Sequence, residues 1–375
     1  MNLTENENRD ISNAISGSVR HYADLDDASF RKIISRAVSS AFTGTKYSLR
    51  EKHEIVEYYF RRIRGFDVLQ PLIDDDCVTE IMVNGPDHIF YEKSGVLQRF
   101  DQVFESRKRL TDVIMHFFAK ENRNICESDP IADVRLEDGS RANAVLFPVA
   151  PDGPILTIRK FTGIRHDMDA LLNCGFLTRK EADYLISAVE TKKNIFISGG
   201  TGTGKTTFLN VLSGFIPSDE RIITIEDSSE LKLQNTPDLV RLEGRQAALD
   251  GTNEVTISDL IRCALRMRPD RIIVGEVRGK EASDMLWAMN TGHLGSLCTG
   301  HSNSAIDMLS RLCIMIQQNS SLPVDLISTL IASAVNIVVH LKRLPGGARC
   351  IENIIEVKSF MEGEFQIEVV SQKSI

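Results

Sequence analysis

Residues 194–207 read Asn194-Ile195-Phe196-Ile197-Ser198-Gly199-Gly200-Thr201-Gly202-Thr203-Gly204-Lys205-Thr206-Thr207. The apolar run up to Ser198 predicts a short buried strand, and Gly199 to Thr206 fits the spacing G-x-x-x-x-G-K-[ST]. Beyond it Phe208, Leu209, Val211 and Leu212 fall on one face of a helix that stops at Gly214 and Pro217. Strand, glycine-rich loop and helix in that order make a phosphate cradle. Glycines let backbone N–H groups turn inward, and the helix N-terminus adds a favourable potential for anions. Lys205 is then the partner of the β- and γ-phosphates, and the Thr206 hydroxyl a ligand of Mg²⁺. A glycine-rich turn with an exposed lysine is the plainer alternative, and it requires neither the strand before nor the helix after.

Working outward, three more apolar runs end in polar residues. Arg221-Ile222-Ile223-Thr224-Ile225 ends in Glu226-Asp227, with Glu230 shortly after; Arg271-Ile272-Ile273-Val274 ends in Gly275-Glu276; Gly295-Ser296-Leu297-Cys298-Thr299 leads to His301, with His293 on the turn before it. In open α/β sheets ligands bind beyond the carboxyl ends of the strands, so these tips are candidate site residues. Hydrolysis at a phosphate cradle needs one carboxylate near the metal and another that orients water. Glu276 is expected to act on Mg²⁺ through water and Glu226 to polarise the nucleophile, with the two roles open to exchange. His301 and His293 are candidates either for sensing the γ-phosphate or for ordinary hydrogen bonds. Thr256 to Met267 reads as a helix, with Thr256 and Asp259 as a capping box, Pro269 as its terminator, and Arg262 and Arg266 one turn apart.

The whole chain has 375 residues, 42% hydrophobic and 26% charged, which suits a globular protein of two domains with a small appendage. Residues 1–58 are polar with helical spacing at Phe30, Ile33, Ile34, Ala37 and Val38, and predict a helical appendage. Residues 59–160 alternate short strands with turns and one helix, Leu110 to Phe118, and predict an α/β domain. Pro148, Pro151, Gly153 and Pro154 punctuate its end, and residues 161–375 follow as regular strand, turn and helix units wound on a parallel sheet. Seven scattered cysteines without a C-x-x-C pair argue for reduced thiols rather than a disulfide framework or zinc site. A net charge of -8 gives no general attraction to nucleic acid or anionic lipid. Leu326 to Leu341 is broken by Ser328, Thr329, Ser333, Asn336 and His340, so it reads as a buried helix and strand, and no transmembrane segment is expected. The N-terminus lacks the basic start and apolar block of a secretory signal, which makes a cytoplasmic location the expectation.

The motifs together resemble the secretion traffic ATPases, and within them the CpaF-like ATPases of Tad pili and the related type IV secretion ATPases. The resemblance rests on the phosphate loop, the acidic box Thr224-Ile225-Glu226-Asp227, an atypical Walker B run from Arg268 to Gly279, and a His box from Thr291-Gly292-His293 to His301-Ser302-Asn303. It extends to Val78-Thr79-Glu80-Ile81-Met82-Val83-Asn84-Gly85-Pro86, Asp138-Gly139-Ser140-Arg141 and Thr157-Ile158-Arg159-Lys160-Phe161. Leu294 and the run Gly300-His301-Ser302 depart from the family's usual His box. The resemblance implies a RecA-like P-loop ATPase domain behind a smaller N-terminal α/β domain, with ATP and Mg²⁺ as substrate and cofactor. It also implies a homo-hexamer working on an inner-membrane platform or other secretion-machine proteins, held peripherally at the inner membrane through them. Arg141, after the Asp138-Gly139-Ser140 turn, and Arg159, on the final strand of the N-terminal domain, are well placed to swing about a hinge near residues 161 to 170 and complete the charge cage around the γ-phosphate, and the resemblance points to the same two; an ordinary surface salt bridge is their plainer alternative. Two other classes share parts of this pattern: a RecA-like nucleic-acid motor, which would want a basic stripe or stacking aromatics where this chain is acidic with one tryptophan, Trp287, and a non-hydrolysing nucleotide-gated scaffold.

Overall fold

The computed structural model describes residues 9–11, 13–15, 25–42, 47–93, 95–121, 123–136, 138–160, 167–233, 236–245 and 254–373. The chain divides into two compact units, Met1–Gly163 and Ile164–Ile375. The hinge expected near residues 161 to 170 falls largely on residues 161–166, which lie outside the described residues.

In the first unit α1 (Asp27–Ala41) starts at Asp26, whose side chain accepts the Ser29 N–H, and α2 (Leu49–Arg64) starts at a capping box between Ser48 and Glu51. Each cap satisfies backbone donors that the first helical turn leaves open. Phe30, Ile34, Ala37 and Val38 of α1 share a core with Ile55, Val56, Tyr59 and Phe60 of α2. The second helix runs through residue 58 to Arg64, so it crosses the expected edge of the appendage.

Six strands follow: β1 (Val78–Asn84), β2 (Ile89–Lys93), β3 (Val96–Arg99), β4 (Ile131–Arg135), β5 (Arg141–Val145) and β6 (Ile155–Arg159). They form one sheet in the order β3-β2-β1-β6-β5-β4, every pairing antiparallel. Ile81, Val83, Ala142, Ala144, Leu156 and Ile158 line its inner face with Leu110, Ile114, Phe117 and Phe118 of α3 (Arg107–Lys120).

The second unit is built on an eight-stranded sheet. Its strands are β7 (Ile195–Gly199), β8 (Ile222–Glu226), β9 (Leu239–Glu243), β10 (Arg271–Val277), β11 (Leu297–Gly300), β12 (Ile337–Arg343), β13 (Arg349–Met361) and β14 (Glu364–Gln372). The order is β14-β13-β12-β7-β11-β10-β8-β9. From β12 to β9 all neighbours are parallel. Beside this parallel core, β13 pairs antiparallel with β12 and with β14, forming hairpins on one edge. Only short turns join β12, β13 and β14, and a parallel neighbour would need a long crossover.

Helices cover both faces of this sheet: α4 (Arg179–Glu190), α5 (Lys205–Ser213), α6 (Ile257–Ala264), α7 (Glu281–Asn290), α8 (Ala305–Gln317) and α9 (Val324–Ala334). Successive strand residues point to opposite faces. Ile195 and Ile197 accordingly enter the core beneath α4 and α5, while Phe196 enters the one beneath α6 to α9. Two polar residues pin the strands from below. Asn194 donates to the Ala334 carbonyl and accepts the Ser296 N–H, which ties β7 to the approaches of β12 and β11. The fully buried Arg271 makes two bonds to Glu220, at 2.6 and 3.2 Å, and one to the Gly295 carbonyl. No described helix is long and apolar enough to cross a membrane.

Candidate functional site

The strand tips of the parallel sheet bring together residues that lie far apart in sequence. β7 delivers the glycine-rich loop, and α5 begins at Lys205 directly after it. Gly204 caps that helix with φ 92°, a left-handed conformation that a side chain would strain. The Lys205 ammonium, itself buried, donates to the carbonyls of Gly199 at 3.1 Å and Gly200 at 2.8 Å. Thr203 is held to the same loop by its hydroxyl, 2.9 Å from the Gly200 carbonyl. Thr206 and Thr207 follow in the first turn of α5, both half-buried.

His301, just past β11, places both ring nitrogens 3.5 Å from the Lys205 ammonium. Its Nε2 also lies 3.0 Å from Oε1 of Glu276 on β10. Burial, the positive charges of Lys205 and Arg278, and a weaker opposing pull from Glu276 hold the imidazole below its ordinary pKa, so it is neutral near pH 7. Glu276 behaves in the opposite sense. Burial works to raise its carboxyl, but the Arg278 hydrogen bond at 2.7 Å, with the charges of Arg278, His301 and Lys205, outweighs burial and keeps it ionised. Oε1 of Glu276 is shielded from solvent and accepts no hydrogen bond among the described residues.

Glu226, at the end of β8, is buried and accepts backbone N–H groups of Glu230 at 2.8 Å and Leu231 at 3.0 Å. Burial is the largest influence on its carboxyl and pushes it up to about 7, assisted by Glu230 and Glu243 and opposed by those N–H bonds. The space it occupies depends on Gly275. A Cβ added there would stand 2.9 Å from the Glu226 Cγ. In the sequence Gly275 is only the neighbour of Glu276; in the fold it makes room for a carboxylate on the neighbouring strand. Arg278, quoted in the Walker B run and given no role, bonds Glu276 and lies 3.9 Å from Asp227. The pattern of a basic residue two places after the strand-end glutamate was the available signal.

The remaining candidates fall elsewhere. His293 lies past the end of α7, its Nδ1 3.3 Å from the Ala288 carbonyl, an ordinary hydrogen-bonding position. Arg262 pairs with Asp284 through two contacts, at 3.0 and 3.2 Å. Arg141 and Arg159 belong to the first unit and stand directly opposite each other on β5 and β6. Arg159 lies 4.0 Å from Glu80.

Comparison with known proteins agrees with the fold. The model of the type II/IV secretion system protein family matches residues 63–370. A Mycobacterium tuberculosis protein named for conjugal transfer is 32% identical over 82% of this chain and 88% of its own. The type IV secretion system protein PtlH of Bordetella pertussis is 35% identical over 75% of this chain and 90% of its own. Among solved structures, the pilus retraction motor PilT with bound ADP superposes with a TM-score of 0.56 at 20% identity, covering 83% of this chain and 84% of that one, a likeness of fold.

Proposed function

The chain belongs to the type II/IV secretion system protein family, and from that premise we propose that it is an ATP-hydrolysing hexameric motor of a bacterial envelope machine of the Tad or type IV kind. The observation that carries the reading is the cluster of Lys205, His301 and Glu276 at the mouth of the parallel sheet, beside a helix that starts at the glycine-rich loop.

In this reading Gly199 to Thr207 bind the phosphates of ATP. Lys205 exchanges its loop carbonyls for β- and γ-phosphate oxygens. The hydroxyl of Thr206 and the ionised Glu276, whose shielded Oε1 faces the His301 ring and accepts no hydrogen bond among the described residues, suit a hard divalent cation. Mg²⁺ held there would neutralise phosphate charge. Glu226 orients the attacking water and takes its proton as the oxygen bonds to the γ-phosphorus. The bond to the bridging oxygen of ADP breaks in the same displacement. A carboxyl poised at about 7 is matched to that task at neutral pH. His301, neutral, reports the γ-phosphate to the strand tips. Arg141 and Arg159 from the N-terminal α/β domain complete the charge cage around the γ-phosphate. ATP draws that domain onto the nucleotide and hydrolysis releases it. The motor acts at the cytoplasmic face of the inner membrane through a platform or other secretion-machine proteins.

The test is nucleotide turnover by the purified full chain, with Lys205→Ala as control. Removing the lysine costs at least about 10²-fold in rate, the effect of deleting one transition-state stabiliser. Near-normal turnover in that variant would overturn the site assignment.

A further inference from the structure

Strand β12 lies beside β7 with Leu341 opposite Gly199, so Arg343, two residues on, stands beyond the end of β7 at the level of the glycine-rich loop. A tight turn, closed by the Leu344 N–H on the Ala348 carbonyl at 2.7 Å, returns the chain so that Arg349 opens β13 directly opposite Arg343. Directly opposed residues of an antiparallel pair share one face of the sheet, so the two guanidinium stems leave the hairpin on the same side. Both side chains lie against the loop. A Cβ added at Gly202 would be 3.7 Å from an Arg343 guanidinium nitrogen, and one at Gly204 would be 3.6 Å from the Arg349 Cδ. Nε of Arg349 is shielded from solvent and makes no hydrogen bond among the described residues. A shielded N–H donor without an acceptor is costly, and a bound anion that accepts from Arg349 Nε would relieve that cost.

The position of β12 says which part of a nucleotide is in reach. β11 and β10, with His301 and Glu276 at their tips, lie on the other side of β7. We propose that Arg343 and Arg349 form a guanidinium clamp on the diphosphate that ATP and ADP share, on the side of the loop away from the bond that breaks. The proposal rests on the reading of residues 199–207 as a nucleotide site. The clamp holds ADP as well as ATP, so it sets affinity and residence of the nucleotide rather than the rate of the chemical step.

The experiment measures ADP binding calorimetrically to the full chain and to Arg343→Ala and Arg349→Met, alongside steady-state turnover of ATP. Each substitution is expected to weaken ADP about tenfold, the scale of one charge-assisted hydrogen bond. The KM for ATP rises in parallel, with kcat changed less than about twofold. Arg349→Lys keeps the charge and the stem, and recovers part of the ADP affinity even where Arg349→Met fails to fold. Unchanged ADP affinity in Arg343→Ala and Arg349→Lys, with the parent chain binding normally, overturns the clamp. A fall in kcat at unchanged affinity overturns it too, because the arginines would then act on the γ-phosphate. A parent chain that binds no ADP instead defeats the nucleotide reading on which the clamp rests.

Discussion

In the N-terminal sheet each strand runs against its neighbours, and β5 alternates half-buried and buried residues through Arg141-Ala142-Asn143-Ala144-Val145. In the C-terminal sheet six strands run the same way, and β7, β8 and β11 are buried from end to end. The difference has a chemical consequence. Parallel strands finish at one edge, so Gly199, Glu226, Glu276 and His301 gather there. An antiparallel sheet has no common finishing edge. What it offers is a pair of side chains at fixed register, and Arg141 opposite Arg159 is such a pair. The C-terminal sheet therefore gathers the polar ends of distant strands at one edge, and the N-terminal sheet sets two arginines side by side.

The sharpest way to break this contrast is to remove the pair. Arg141→Ala and Arg159→Ala are each expected to lower ATP turnover by about 10³-fold, the lower bound for a residue completing the phosphate cage. ADP affinity of the full chain stays measurable in both. Two fully active variants would mean that the N-terminal sheet takes no part in catalysis.

Next in size are Glu276→Gln and Glu226→Gln, which keep shape and lose charge. Both are expected to bind ATP and to hydrolyse it about 10²-fold more slowly, as for loss of a general base. A rate within about threefold of the parent would remove that residue from the chemistry.

The pH profile separates the two carboxylates. Glu226 must be ionised to accept a proton, so kcat/KM should fall about tenfold per pH unit below pH ~7, and Glu226→Gln should lack this acid limb. Stability carries the same signature with its own sign. The folded Glu226 keeps a proton that the unfolded chain has lost, so its contribution is fully present below pH about 4.5 and is lost as pH rises through about 7. Chemical denaturation of parent and Glu226→Gln at pH 5 and pH 8 should show the parent losing ground at the higher value. A persistent acid limb in Glu226→Gln would move the general-base role to another group.

The smallest effects test packing. Ile197→Thr places a hydroxyl in the fully buried middle of β7 and is expected to cost about 2 to 3 kcal/mol. Leu97→Thr, on the 60% exposed Leu97 of β3, should stay within about 0.5 kcal/mol. Equal losses at the two positions would show that the sheets are buried alike.

Sequence by itself determined what is local. Apolar runs closed by a glycine or an acid marked β7, β8, β10 and β11, and Thr256 with Asp259 marked the start of α6. These are short-range signals, because hydrogen bonds within one turn and side-chain alternation within one strand involve near neighbours. The family's motifs carried the α/β fold with its two parts in the same way. Only the tertiary structure decided who meets whom. Lys205 and His301 are 96 residues apart and touch through adjacent strands. Gly275 matters to Glu226 because β10 lies beside β8, and the two arginines of the β12–β13 hairpin reach the glycine-rich loop because β12 lies beside β7. Sheet order is chosen by the burial of whole faces, an energy shared among dozens of side chains in two cores, and no single stretch of sequence holds it.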